Sequence, residues 1–127
     1  MAMKNKKKIL IIEDDKDINR TLCMRLQMDN FEVITSYDGY EGFYKATTQH
    51  PDLIILDLKL PGLPGEEICK ELRKNEKYAF LPIIMLTAKD TDVDKVVGRV
   101  IGANQYMSKP FDMEELLKKI FLLLKEK

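Results

Sequence analysis

Thiols, histidine and long apolar runs are all scarce in this sequence, and each scarcity removes a class of chemistry. Only two cysteines occur, Cys23 and Cys69, both among apolar neighbours in helix-like stretches. They read as small core hydrophobes, not as a disulfide framework or a metal pair. The single histidine, His50, precedes Pro51 and suits a surface loop better than a phosphate carrier. No apolar run approaches the ~18 residues needed to span a membrane. Lys4, Lys6, Lys7 and Lys8 are followed only by Ile9-Leu10-Ile11-Ile12, too short a core for a signal peptide, so a cytoplasmic location is expected. Charge of one sign is lacking too: 21 basic and 21 acidic residues cancel, and no overall field favours nucleic acid. Repeats and low-complexity linkers are absent. What remains is 127 residues, 45% apolar and 33% charged, which fits one folded domain and excludes disorder. Residues 1–7 read as a basic, solvated leader and 8–127 as the domain.

Two periodicities alternate along the chain. Short apolar runs cover Lys8 to Ile12, Phe31 to Thr35, Leu53 to Asp57, Ile83 to Thr87 and Gln105 to Met107. Turn residues or proline bound them, as expected of buried strands. Between them lie amphipathic stretches. Ile18, Leu22 and Leu26 share one helical face, as do Val93, Val96, Val97, Val100 and Ile101. Met113, Leu116, Leu117, Ile120, Leu123 and Leu124 form a last stripe, with Leu122 opposite it and Phe121 at its edge. Asp15 or Asp17 can cap the first helix and Asp112 the last. Gly102 suits a stop after the fourth. Five β-α units of this size predict an α/β fold, a parallel sheet with helices on both faces. Its functional groups belong at the carboxyl ends of the strands.

Those ends carry Glu13-Asp14-Asp15, Asp57, Thr87 and, after the fifth run, Ser108-Lys109-Pro110. Carboxylates within ~4–6 Å repel and raise one another's pKa. A divalent cation resolves the conflict, and an acidic rim without histidine or cysteine selects Mg²⁺ over Zn²⁺. Asp15 and Asp17 read better as acids at a helix start than as metal ligands; Glu13 and Asp14, directly after a buried strand, read as metal ligands. Asp57 closes a run with no other polar residue and is a nucleophile candidate, aspartyl phosphate being a known covalent intermediate. Alone it would read as a turn residue. Lys109 offers a point charge for a phosphate oxygen and Thr87 a hydroxyl. The Lys109–Pro110 bond is open to the cis form.

The ordered set resembles the receiver domain of bacterial response regulators, from Lys8 to about Leu124. The resemblance rests on Ile-Leu-Ile-Ile-Glu13-Asp14-Asp15, Pro51-Asp52-Leu-Ile-Ile-Leu-Asp57-Leu-Lys-Leu-Pro61-Gly62, Pro82-Ile-Ile-Met-Leu-Thr87-Ala88 and Gly102-Ala103-Asn-Gln-Tyr106-Met-Ser-Lys109-Pro110-Phe111. It implies a flavodoxin-like five-stranded sheet, order 2-1-3-4-5, and a two-component signalling switch. It implies that Asp57 accepts a phosphoryl group from a phosphohistidine on a sensor histidine kinase or histidine phosphotransfer protein. Asp14 would bind Mg²⁺ directly, Glu13 through metal-bound water, and Lys59 through its main-chain carbonyl, beside Asp57. Thr87 would bond the phosphoryl oxygen, Lys109 would pair with it, and Tyr106 would be the switch aromatic. The surface of helix 4, strand 5 and helix 5 would then change shape and control a downstream target protein. Leu122 and Phe121 are expected to join a homodimer or target surface there. No membrane and no direct nucleic-acid contact are expected.

Leu63-Pro64-Gly65 stands where many relatives carry Met-Asp-Gly, and Asn104-Gln105 replaces a frequent acidic pair. Pro64 is compatible with the first turn of the third helix. Lys59 and Lys89, two residues past Asp57 and Thr87, either crowd the attacking water or merely face solvent. Tyr37, Tyr40 and Tyr44 are expected to pack around the second helix. Two other classes fit less well. A haloacid-dehalogenase-like phosphotransferase needs a second acid two residues past its nucleophile, where Lys59 stands. A flavin binder needs a small, hydroxyl-rich phosphate loop after the first strand, where Glu13 to Asp17 would repel phosphate. The chain ends after the last receiver helix, so no output domain is expected within it. A single-domain regulator, a phosphorelay intermediate and a fragment all remain open.

Overall fold

A computed structural model describes residues 6–88 and 102–125. The strands are β1 (Lys8–Ile12), β2 (Glu32–Ser36), β3 (Leu53–Asp57), β4 (Ile83–Thr87) and β5 (Gln105–Ser108). The helices are α1 (Lys16–Met28), α2 (Gly39–Thr48), α3 (Gly65–Lys74) and a C-terminal helix (Met113–Lys125), with a short 3₁₀ turn at Glu76–Tyr78. All strand pairs are parallel and the order is β2-β1-β3-β4-β5. This is the flavodoxin-like arrangement expected. The fourth amphipathic stretch, with Val93 to Ile101, lies outside the described residues, as does Lys89.

The inner strands β1, β3 and β4 are apolar on both faces because both are covered. Alternation sends Ile9, Ile11, Leu53, Ile55, Ile84 and Leu86 to one side. There they meet Leu22 and Leu26 of α1 and Leu116, Leu117 and Ile120 of the C-terminal helix. Leu10, Ile12, Ile54, Leu56, Ile83 and Met85 point the other way, against Ala46 of α2 and Ile68 and Leu72 of α3. Burial of each such side chain stabilises by roughly 1.5–3 kcal/mol. Cys69 belongs to this second layer, and burial pushes its thiol up to about 11, which suits a core residue rather than a nucleophile.

Three local expectations differ from the structure. Tyr37, Tyr40 and Tyr44 are 44%, 66% and 65% exposed rather than packed around α2. The inward face of α2 is Gly39, Gly42 and Ala46, small residues that let the helix lie close on β1. A Cβ at Gly42 would press into Ile12. Pro64 sits at the N-cap of α3, just outside its first turn. The helix begins at Gly65, whose N–H instead donates to the Leu58 carbonyl at 2.9 Å. Finally, β2 runs one residue later than expected, leaving Phe31 buried ahead of it.

Gly65 is required by close approach: a Cβ there would overlap the carbonyl oxygen of Asp57. Backbone is the obstacle, so relief means moving the β3–α3 connection. Gly65→Ala should lower stability by about 1–3 kcal/mol, the usual range for overpacking; urea unfolding with an unchanged midpoint would contradict this packing.

Candidate functional site

Parallel pairing in register brings the strand ends to one rim. Ile12 pairs with Ser36 and Leu56, Asp57 with Leu86, and Thr87 with Ser108. The chain therefore delivers Glu13, Asp57, Thr87 and Lys109 to the same edge of the sheet. Backbone bonds carry the order one step further. Glu13 N–H donates to Ser36 O at 3.1 Å, Leu58 N–H to Leu86 O at 2.8 Å, and Lys109 N–H to Thr87 O at 2.8 Å. The Lys109–Pro110 peptide is cis.

The Lys109 ammonium lies 2.8 Å from Glu13 Oε1 and 3.1 Å from Asp57 Oδ2. Glu13 is fully buried, Asp57 nearly so, and Asp14 is exposed. One carboxylate oxygen from each of these three acids falls within 4.8 Å of the others. Glu13 Oε2 accepts from the Asp15 N–H at 2.9 Å, while Oε1 has its ion-pair contact but no aligned hydrogen bond. Asp15 faces away from this chemistry. Its Oδ1 accepts from Asp17 N–H and Ile18 N–H at 3.0 and 3.1 Å, capping α1. Asp17 is therefore within the first turn of that helix.

The remaining expected residues are placed as follows. Thr87 is fully buried, and its hydroxyl donates a long 3.4 Å bond to the Met107 carbonyl. Tyr106 is half-buried against the α3-side layer, where burial raises its pKa. The Lys59 side chain is exposed. His50 is exposed before β3, at the opposite end of the sheet, with φ 54°.

Sequence reasoning missed Asn19. It is 1% exposed, and its amide nitrogen donates to Glu13 O at 3.0 Å and Ser36 O at 3.2 Å, tying the ends of β1 and β2 together. The available signal was a carboxamide next to the Ile18-Leu22-Leu26 stripe, which a buried position tolerates only with partners.

Comparison with known proteins decides the family. The family model "Response regulator receiver domain" matches residues 9–121. The chain belongs to the response regulator receiver domain family. The alkaline phosphatase synthesis transcriptional regulatory protein PhoP of Bacillus subtilis is 46% identical over 119 residues, covering 94% of this chain and 49% of that one. Response regulator ArlR of Staphylococcus aureus is 46% identical over 117 residues, covering 92% and 52%. The chain thus spans about half the length of the curated relatives it matches. The solved structure of chemotaxis response regulator CheY4 of Vibrio cholerae superposes with a TM-score of 0.84 at 34% identity, covering 94% of this chain and 99% of that one. Among the described residues no helix is long and apolar enough to cross a membrane.

In this receiver domain the acidic group suits a divalent cation on two grounds. Three carboxylates facing one ammonium leave two negative charges when all are ionised. The unaligned Glu13 Oε1 is a buried acceptor with capacity to spare. Without a cation the excess charge is relieved by protons. Burial, reinforced by the Asp57 charge and opposed by Lys109 and the Asp15 N–H, pushes Glu13 up to about 7. Burial likewise raises Asp57, against the pull of Lys109. Burial works against the Lys109 charge, but its bond to Glu13 and the Asp57 charge outweigh this and raise its pKa.

A carboxyl raised from 4.5 to about 7 by folding holds its proton more tightly in the folded state. Its contribution to stability is complete below the unfolded pKa and is lost as pH rises through the folded one. Metal-free protein should therefore lose stability between about pH 4.5 and 7 from this group. Added Mg²⁺ should raise the melting temperature more at pH 8 than at pH 5, and Glu13→Gln should flatten both trends. Thermal melts with equal Mg²⁺ gains at the two pH values would contradict the assignment.

Proposed function

We propose that this receiver domain is a Mg²⁺-dependent signalling switch that accepts a phosphoryl group on Asp57. The observation that carries the reading is the placement of the Asp57 carboxylate. It is nearly buried, 3.1 Å from the Lys109 ammonium and within 4.8 Å of the ligand atoms of Glu13 and Asp14. Asp14, Asp57 and the main-chain carbonyl of Lys59 would hold Mg²⁺ directly, with Glu13 acting through water. Bound Mg²⁺ supplies positive charge that offsets the phosphoryl oxygens.

The donor is a phosphohistidine of a sensor histidine kinase or histidine phosphotransfer protein. An Asp57 oxygen attacks phosphorus. The O–P bond forms as the P–N bond breaks, and the leaving imidazole keeps the electron pair. Lys109, already beside the acceptor, holds a phosphoryl oxygen by charge. A cavity of about 370 Å³ beside the site, lined by Ile18, Thr21, Pro110, Phe111 and Met113 with Asp17 and Lys109 among them, offers the donor a mostly apolar seat.

The product adds charge and bulk next to Thr87. The bond from Thr87 to Met107 O is long, so little is lost when the hydroxyl turns to the phosphoryl oxygen. Tyr106 then moves into the vacated space, biasing the surface of helix 4, β5 and the C-terminal helix between two states. Helix 4 lies outside the described residues. The altered surface would control a downstream target protein or a homodimer. Phe121 and Leu122 are 51% and 56% exposed, and the Phe121 ring meets Phe31 at 5.5 Å between centroids, tilted by 39°. They border a cavity shared with Arg25 and Asp29, which extends this surface toward α1. The chain acts as a switch that catalyses only its own phosphorylation and dephosphorylation; Lys59 stands where a haloacid-dehalogenase-like phosphotransferase needs a second acid.

Incubation with Mg²⁺ and acetyl phosphate, followed by intact-mass measurement, should show one phosphoryl addition. Asp57→Asn should abolish it, as should omission of Mg²⁺. An undiminished addition in Asp57→Asn would move the acceptor elsewhere.

A further inference from the structure

Arg73 lies half-buried at the end of α3 and uses all three arms of its guanidinium on neutral acceptors. Nε donates to Gly102 O at 2.9 Å, Nη1 to Tyr78 O at 3.0 Å and Nη2 to Asn104 Oδ1 at 3.0 Å. No carboxylate pairs with it among the described residues, and burial depresses its pKa. A cation placed there for ion pairing alone would have an acid beside it. This one instead fits a rigid fork that fixes backbone.

The backbone it fixes is the approach to β5. Asn104 N–H donates to Ile83 O at 2.8 Å, and Asn104 Oδ1 accepts from Ile83 N–H at 2.8 Å. The carboxamide therefore adds a ladder step ahead of the first paired residues of β4 and β5, Ile84 and Gln105. The same Oδ1 takes the Arg73 bond. Gly102, with φ 83°, presents its carbonyl to the third arm. Tyr106 lies within β5, two residues past Asn104, and it packs with Ala103 on the α3-side layer.

We infer that Arg73 is a positioning residue for Tyr106. Through Gly102 and Asn104 it locks the start of β5 to α3, so that a change at Asp57 and Thr87 is expressed as movement of the Tyr106 ring rather than as slippage of the strand. Asn104 is the matching half of the device. Its neutral oxygen serves two donors at once, and an aspartate there would serve them as well. The inference rests on Tyr106 being the moving aromatic.

The test is fluorine NMR of 3-fluorotyrosine-labelled protein, with the Tyr106 signal assigned through Tyr106→Phe. Spectra are taken before and after saturation with Mg²⁺ and beryllofluoride. The wild-type Tyr106 signal should move between two sharp positions. In Arg73→Met and Asn104→Ala the unloaded signal should broaden or split, and its displacement on loading should fall at least twofold. Asn104→Asp should restore the wild-type response. Acetyl phosphate should still phosphorylate Arg73→Met within about twofold of the wild-type rate. Should Arg73→Met unfold, Arg73→Lys, which keeps charge but loses the fork, gives the same readout. A wild-type Tyr106 signal that moves equally in the folded Arg73 variants would overturn the positioning role alone. A wild-type signal that ignores loading would remove the switch reading and this role with it.

Discussion

One ammonium group between two buried carboxylates governs the functional rim of this molecule. Glu13 and Asp57 have been taken out of water, a costly transfer for either charge alone. Lys109 touches both, at 2.8 and 3.1 Å, and lowers that cost without cancelling the excess negative charge. The remainder is the chemical resource of the site. It can be met by a proton on Glu13 or by a divalent cation at the three-acid group. Breaking a buried pair of this kind costs about 3–5 kcal/mol, because the remaining charge stays buried. The rim is thus poised by residues far apart in the chain, and the sheet order is what makes them neighbours.

The surrounding packing serves that convergence. Apolar residues on both faces fix the register of β1, β3 and β4, and parallel pairing with β4 aligns β5, so each polar residue that ends a run emerges at the same level. Gly65 brings α3 against the Asp57 carbonyl, and Asn19 joins the ends of β1 and β2. On the far side of β5, Arg73 and Asn104 hold the strand start to α3. Rigid neighbours of this sort let a small local change select between discrete arrangements rather than dissipate as continuous deformation.

Much of this was legible in the amino-acid sequence because polar residues ending apolar runs mark strand termini. Glu13, Asp57, Thr87 and Lys109 each sit at or just past the end of such a run, so alternation with helical stretches was enough to bring them to one rim. What stayed hidden depends on three-dimensional partners. Nothing in the sequence distinguishes the Lys109–Glu13 contact from the slightly longer Lys109–Asp57 one. Asn19 reads as an ordinary polar residue until both carbonyls it bridges are in place. Tyr40 and Tyr44 looked like packing residues because aromatics near a helix usually are, whereas Gly42 and Ala46 bring α2 down on its opposite face. Asn104 reads in the sequence only as a replacement within a frequent acidic pair, yet its carboxamide oxygen joins α3 to β4 just ahead of β5.

The buried charge network is most directly tested by carbon-13 titration of the Glu13 and Asp57 side-chain carboxyls, in metal-free protein and in Lys109→Met. Glu13 should titrate at about 7 in the wild type, and both carboxyls should move upward when the ammonium is removed. Two carboxyls titrating in the ordinary range, and indifferent to loss of Lys109, would contradict the convergence of β1, β3 and β5 on a shared charge.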